Sequence, residues 1–175
     1  TMLRENNLTN NRMVNLEKLH KLELQNIEKS KLSQEEKAKR VLEVEARQLN
    51  TMKDLHKLNH EAFVALMERE LIKVRGNAFL GLDIKKRMLD EQVAYKIQTL
   101  ETEAALEINR IQQSVMSTEE KAARIKAIED NLSAQLVQTA ANTEEEKRRL
   151  ELEAYEKRWN RSKEFYSAVQ AAMDG

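Results

Sequence analysis

Two imidazoles stand four residues apart in His56-Lys57-Leu58-Asn59-His60, the spacing at which one helix can present two nitrogen ligands to zinc. The glutamate that serves as general base in such a motif is missing, Lys57 occupying its place, and no third histidine or cysteine is close in sequence. These residues therefore read as a solvated edge, or as polar positions that set register on a packing seam. Tyr155, Trp159, Phe165 and Tyr166 make up four of the seven aromatics, and at heptad spacing they are expected to be packed core or a docking surface. The basic run Lys147-Arg148-Arg149 follows three glutamates and reads as a solvated face. No glycine-rich phosphate loop occurs, and no spacing singles out a carboxylate pair for acid–base work. Helix surfaces offer little concavity to shift carboxylate pKa values. No catalytic residue, cofactor-binding residue or metal ligand is expected, and the chain is read as non-enzymatic.

The elements that carry these residues follow from composition. The 175 residues contain no proline and three glycines, Gly76, Gly81 and Gly175. Inside a helix those residues cost about 3 and 1 kcal/mol respectively, so almost nothing here stops a helix once started. An all-α fold is expected, with long helices forming coiled coils or helical hairpins and no β-sheet, and helix over at least about four-fifths of the chain. Thirty basic residues balance thirty acidic ones, which argues against direct nucleic-acid readout. No apolar run approaches the roughly 18 residues that cross a bilayer, so no integral membrane segment is expected. The absence of cysteine excludes disulfides and thiolate metal sites. Thr1 precedes Met2, as in a piece cut from a longer protein.

An ungapped repeat appears when the sequence is set against itself at an offset of 84 residues. Leu22, Ile27, Ser30, Ser33, Glu35, Glu36 and Lys37 recur as Leu106, Ile111, Ser114, Ser117, Glu119, Glu120 and Lys121. Both Ser33-Gln34-Glu35-Glu36 and Ser117-Thr118-Glu119-Glu120 fit the capping box, in which serine and a glutamate three residues on satisfy each other's orphan N–H groups. Thr143-Glu144-Glu145-Glu146 is a weaker match. The organisation expected is a polar segment 1–11, a helical unit 12–75 with a turn near 30–33, a glycine joint 76–82, and a second unit 83–173 with a turn near 114–117. The two capping-box turns should match in conformation.

Apolar periods name the packing residues. Leu89, Val93, Ile97, Leu100, Ala104, Ile108, Ile111 and Val115 follow an 11-residue repeat, which keeps a stripe on a nearly straight helix. Leu152, Tyr155, Trp159, Ser162, Tyr166, Val169 and Met173 are spaced as heptads. The second helix carries two adjoining seams, one through Val44, Thr51, Leu55, Leu58, Ala62 and Ala65, the other through Met52, His56, Asn59, Phe63 and Leu66. A face that broad suits more than one neighbour. The residues expected to pack or oligomerise are Leu55, Leu58, Phe63, Leu66, Ile97, Leu100, Ile108, Ile111, Tyr155, Trp159 and Tyr166. Covering them calls for a homo-oligomer, with Trp159 substantially buried between chains or against a neighbouring helix.

From about Lys31 to Met173 the sequence resembles the coiled-coil stretches of tail tape-measure proteins of long-tailed bacteriophages. The resemblance lies in Leu32-Ser33-Gln34-Glu35-Glu36-Lys37, in Met116-Ser117-Thr118-Glu119-Glu120-Lys121, in Phe79-Leu80-Gly81-Leu82-Asp83, and in the closing stretch from Tyr155 to Gly175. It implies a virion component assembled in the bacterial cytoplasm and housed in the tail interior. There a few parallel copies would contact tail-tube and tail-tip proteins, set tail length and leave during genome delivery. The other reading is a cytoplasmic or cytoskeletal helical tether linking other proteins. Helix advances about 1.5 Å per residue, so a ruler must be extended, and real hairpins would break the proportionality.

Overall fold

The computed structural model describes the backbone of residues 2–173 and the side chains of residues 11–170. Four helices, α1 (Met2–Lys29), α2 (Gln34–Lys73), α3 (Ala78–Gln113) and α4 (Thr118–Met173), occupy more than nine-tenths of the chain, and no strand occurs among the described residues. The fold is all-α, as composition requires. Helix already begins at Met2, within the stretch read as a polar segment.

Each helix end has a local cause. At the start of α2 the Ser33 hydroxyl accepts the Glu36 N–H at 3.3 Å, while the Glu36 carboxylate accepts the Ser33 N–H at 3.0 Å. At the start of α4 the Ser117 hydroxyl accepts the Glu120 N–H and the Glu120 carboxylate the Ser117 N–H, both at 3.2 Å. Both capping boxes are real turns. Thr143, by contrast, lies inside α4, its hydroxyl donating to the Thr139 carbonyl at 2.6 Å.

The connection between α2 and α3 is shorter than the expected 76–82 joint. Gly76 adopts φ of 104°, the left-handed region that glycine enters without a Cβ clash, and ends α2. Asn77 then caps α3, its Oδ1 accepting the Phe79 and Leu80 N–H groups at 3.2 Å each. Gly81 closes the first helical turn by donating to the Asn77 carbonyl at 3.0 Å, and so lies in helix. The break expected across both glycines belongs to Gly76 alone, because only that position needs a positive φ.

The helices fold into two compact units that are discontinuous in sequence, Thr1–Glu61 with Ala94–Val137, and Ala62–Val93 with Gln138–Gly175. They cut across the two consecutive units read from the sequence. The first unit packs α1 and parts of α2, α3 and α4 around Ile27, Val44, Leu55, Ala104 and Ile111. Asn109 is buried among them, its amide donating to the Leu42 carbonyl at 3.0 Å and its Oδ1 accepting from Gln113 at 2.6 Å. The second unit packs the remaining parts of α2, α3 and α4 around Met67, Ile84 and Thr139. Ion pairs link its helices: Lys147 with Asp90 at 2.8 Å, Lys85 with Glu153 at 3.6 Å, and Lys86 with Glu151.

Candidate interaction surface

The end of α4 carries a run of exposed apolar side chains among the described residues, Leu152, Tyr155, Trp159, Phe165, Tyr166 and Val169. In the second unit, residues of α4 at positions 143, 147, 150 and 154 are half-buried, and beyond them the exposed Lys157 and Arg161, with Ser162, Phe165 and Tyr166, line a shallow cleft against Gly76, Asn77 and Phe79. Arg161 donates to the Gly76 carbonyl, and the Arg158 guanidinium lies 5.2 Å from the Phe79 ring centroid. These contacts fix which side of α4 faces its own unit.

Leu152, Tyr155, Trp159 and Val169 lie on the other side by heptad position, and Ser162 and Tyr166 continue their line while also reaching the edge of that cleft. With about 3.5 residues per turn, a line through these six stands roughly 150° around the helix from the line through Leu150, Ala154, Lys157 and Arg161. Tyr155 is 60% exposed, Trp159 63% and Tyr166 71%. Leu152, Phe165 and Val169 are exposed as well, and Ser162 is half-buried. Lys163 sits over the Trp159 ring, 5.5 Å from its centroid. From Lys163 to Gln170 every residue is exposed. The side chain of Met173 lies outside the described residues.

The sequence-derived packing residues divide. Leu55 and Ile111 are buried, and Ile97, Leu100 and Ile108 are half-buried in the first unit. Phe63 and Leu66 are half-buried in the second. Leu58, at 57% exposure, lies mostly in water, as do Tyr155, Trp159 and Tyr166, the last of these meeting only Phe165 and the edge of the cleft. Trp159 accordingly finds no cover against a neighbouring helix of its own chain.

The first seam of α2 takes Val44 and Leu55 into the core but leaves its continuation, Leu58, Ala62 and Ala65, exposed. Leu16, Leu19 and Glu23 of α1 form a groove with Val44, Arg47 and Thr51, so α1 lies along that side in the first unit. The second unit contains no residue of α1. There Phe63, Met67, Leu71 and Val74 pack instead, on a face turned part-way around the helix.

The histidines gather no ligand set. His60 stacks on Tyr95 with ring centroids 4.3 Å apart and planes 5° from parallel, and His56 is half-buried. No group of three or more His, Asp or Glu side chains is disposed to hold a metal among the described residues. No helix among them is long and apolar enough to cross a membrane.

Several carboxylates bind to the fold electrostatically. Hydrogen bonding and charge from Lys86 hold Glu151 below the ordinary carboxylate value of 4.5. Lys157, followed by Lys85, does the same for Glu153. The Ser33 hydroxyl and N–H lower Glu36, and Asp90 raises Lys147. Sequence reasoning missed Asn109; its signal is a polar residue directly beside Ile108 in the 11-residue apolar stripe.

Comparison with protein-family models, with curated protein sequences and with solved structures finds no match.

Proposed function

We propose that this chain is a non-enzymatic assembly protein that works as a homo-oligomer, with the exposed seam at the end of α4 as the surface through which separate chains join. The observation that carries this reading is the exposure of Leu152, Tyr155, Trp159 and Tyr166 at heptad spacing. Each large apolar side chain left in water forfeits roughly 1.5–3 kcal/mol, and a contiguous patch of that kind marks an interaction site. Light scattering tests the reading: replacing Trp159 and Tyr166 together by glutamate lowers the mass to 20.4 kDa while the circular dichroism stays helical. A variant that keeps the mass of the parent chain overturns it.

The resemblance to tape-measure proteins supplies one setting, a virion tail interior with tail-tube and tail-tip partners. Within their units α2, α3 and α4 each fold back on the preceding helix, as Arg47–Glu23, Lys53–Glu103 and Lys86–Glu151 mark. Residue number is then not converted into distance along one axis. The folded-back form suits a tether or scaffold; a ruler requires the hairpins to open, each residue then adding about 1.5 Å. Deletion of one 84-residue period in the parent virus separates the two readings. Tails shorter by about 126 Å support a ruler, and tails of unchanged length support a tether.

A further inference from the structure

We propose that the α4 seam is covered by the same seam of a second copy running antiparallel, about a two-fold axis level with Asn160 and Arg161. This rests on the self-association proposed above and adds the partner's direction and register.

In heptad terms Leu152, Trp159 and Tyr166 are a positions and Tyr155, Ser162 and Val169 are d positions. The flanking e and g positions decide polarity. In a parallel pair in register, Glu151 faces Glu156 and Arg158 faces Lys163, so every flanking contact between charged residues joins like charges, and the remaining one, Phe165 with Gln170, offsets none of them. Such contacts oppose association.

Antiparallel pairing about the stated axis removes the conflict. Glu156 then lies beside Lys163 of the second copy, twice by symmetry. Among the described residues neither Glu156 nor Lys163 enters an ion pair within the chain, whereas the nearby Glu151 and Glu153 are taken by Lys86, Lys85 and Lys157. This arrangement brings together two charges of opposite sign that have no ion-pair partner within the described residues of their own chain. Arg158, already over Phe79, gains Phe165 of the second copy on its flank.

The core layers match in size as well. Leu152 meets Val169, Tyr155 meets Tyr166, and Trp159, the largest side chain, meets Ser162, the smallest, so large opposes small in adjoining layers. Area is sufficient. At about 150–250 Å² for each aromatic, the exposed fractions of Tyr155, Trp159, Phe165 and Tyr166 supply on the order of 500 Å² per copy. Their sum over both copies, about 1,000 Å² before Leu152 and Val169 are added, reaches the size of a specific interface.

The chain has no cysteine, so introduced thiols report register directly. In the full chain, Leu152→Cys and Val169→Cys are prepared separately and treated with a short bis-maleimide, alone and mixed. The inference expects covalent dimers from the mixture and few from either variant alone. Charge provides the second readout: Glu156→Lys weakens association roughly tenfold, and adding Lys163→Glu restores it. Cross-linking of each variant with itself, or tighter association from Glu156→Lys, shows a parallel pair and overturns the inference while leaving self-association intact. Oligomeric mass without cross-links in any mixture places the contact elsewhere and also overturns it. A chain that remains monomeric, whether or not it sediments with phosphatidylserine vesicles, overturns both this inference and the self-association beneath it.

Discussion

The Lys121 ammonium donates to the Gln112 carbonyl at 2.9 Å, reaching back across the turn between α3 and α4. Eighty-four residues earlier, Lys37 donates to the Glu28 carbonyl at 2.7 Å across the turn between α1 and α2. The correspondence extends through both turns. The Ser30 and Ser114 hydroxyls donate to the Ile27 and Ile111 carbonyls at 2.5 and 2.6 Å, and Ile27 and Ile111 are both buried. The sequence repeat is therefore a repeated structural device: a serine closes one helix, a capping box opens the next, and a lysine ties the two.

Equal local geometry implies equal local energetics. Ser33→Ala and Ser117→Ala should each cost about 1 kcal/mol, the usual worth of an N-cap, in urea unfolding. Costs differing by more than about 1 kcal/mol would show that the two turns are equivalent in shape only.

The two internal glycines should part company. Gly76→Ala forces a Cβ into the left-handed region at φ of 104° and should destabilise by about 1–2 kcal/mol. Gly81 is helical, and a Cβ built there meets only Leu71 Cδ1 at 3.8 Å, an ordinary contact. Gly81→Ala should stabilise by about 0.4–1 kcal/mol. Thermal melts of the two variants check the contrast.

That contrast shows what could be read from residues alone. Ser33 and Ser117 announced their turns because a capping box has a mechanism independent of tertiary context. Gly81 misled because glycine permits a break without demanding one, and only φ distinguishes the cases. The heptads at Leu55 and Leu58 were visible, but whether a seam is covered depends on where α1 lies, which no local pattern states. The two interleaved units were hidden for the same reason: helices of 40, 36 and 56 residues are each long enough to serve two cores.

Leu55 and Leu58, three residues apart, should respond differently to truncation. Leu55→Ala removes a buried side chain and should cost about 2–5 kcal/mol. Leu58→Ala, at 57% exposure, should stay within about 0.5 kcal/mol. Chemical denaturation decides, and a large cost at Leu58 would mean that a partner covers it.

Stability should hold between acid and base limits set by the helix-linking ion pairs. Glu151 and Glu153 have folded pKa values below 4.5, so their contribution is complete above that pH and is lost as pH falls through the depressed values. Lys147 is raised above 10.5, so its contribution is complete below that pH and is lost as pH rises through the raised value. Helicity followed by circular dichroism against pH checks both edges. Glu151→Gln should reduce the acid-side loss.

The central claim is that the chain assembles with itself, and its mass in solution tests this most directly. Light scattering over a wide concentration range should give a multiple of 20.4 kDa that dissociates on dilution. A mass of 20.4 kDa at every concentration would contradict it.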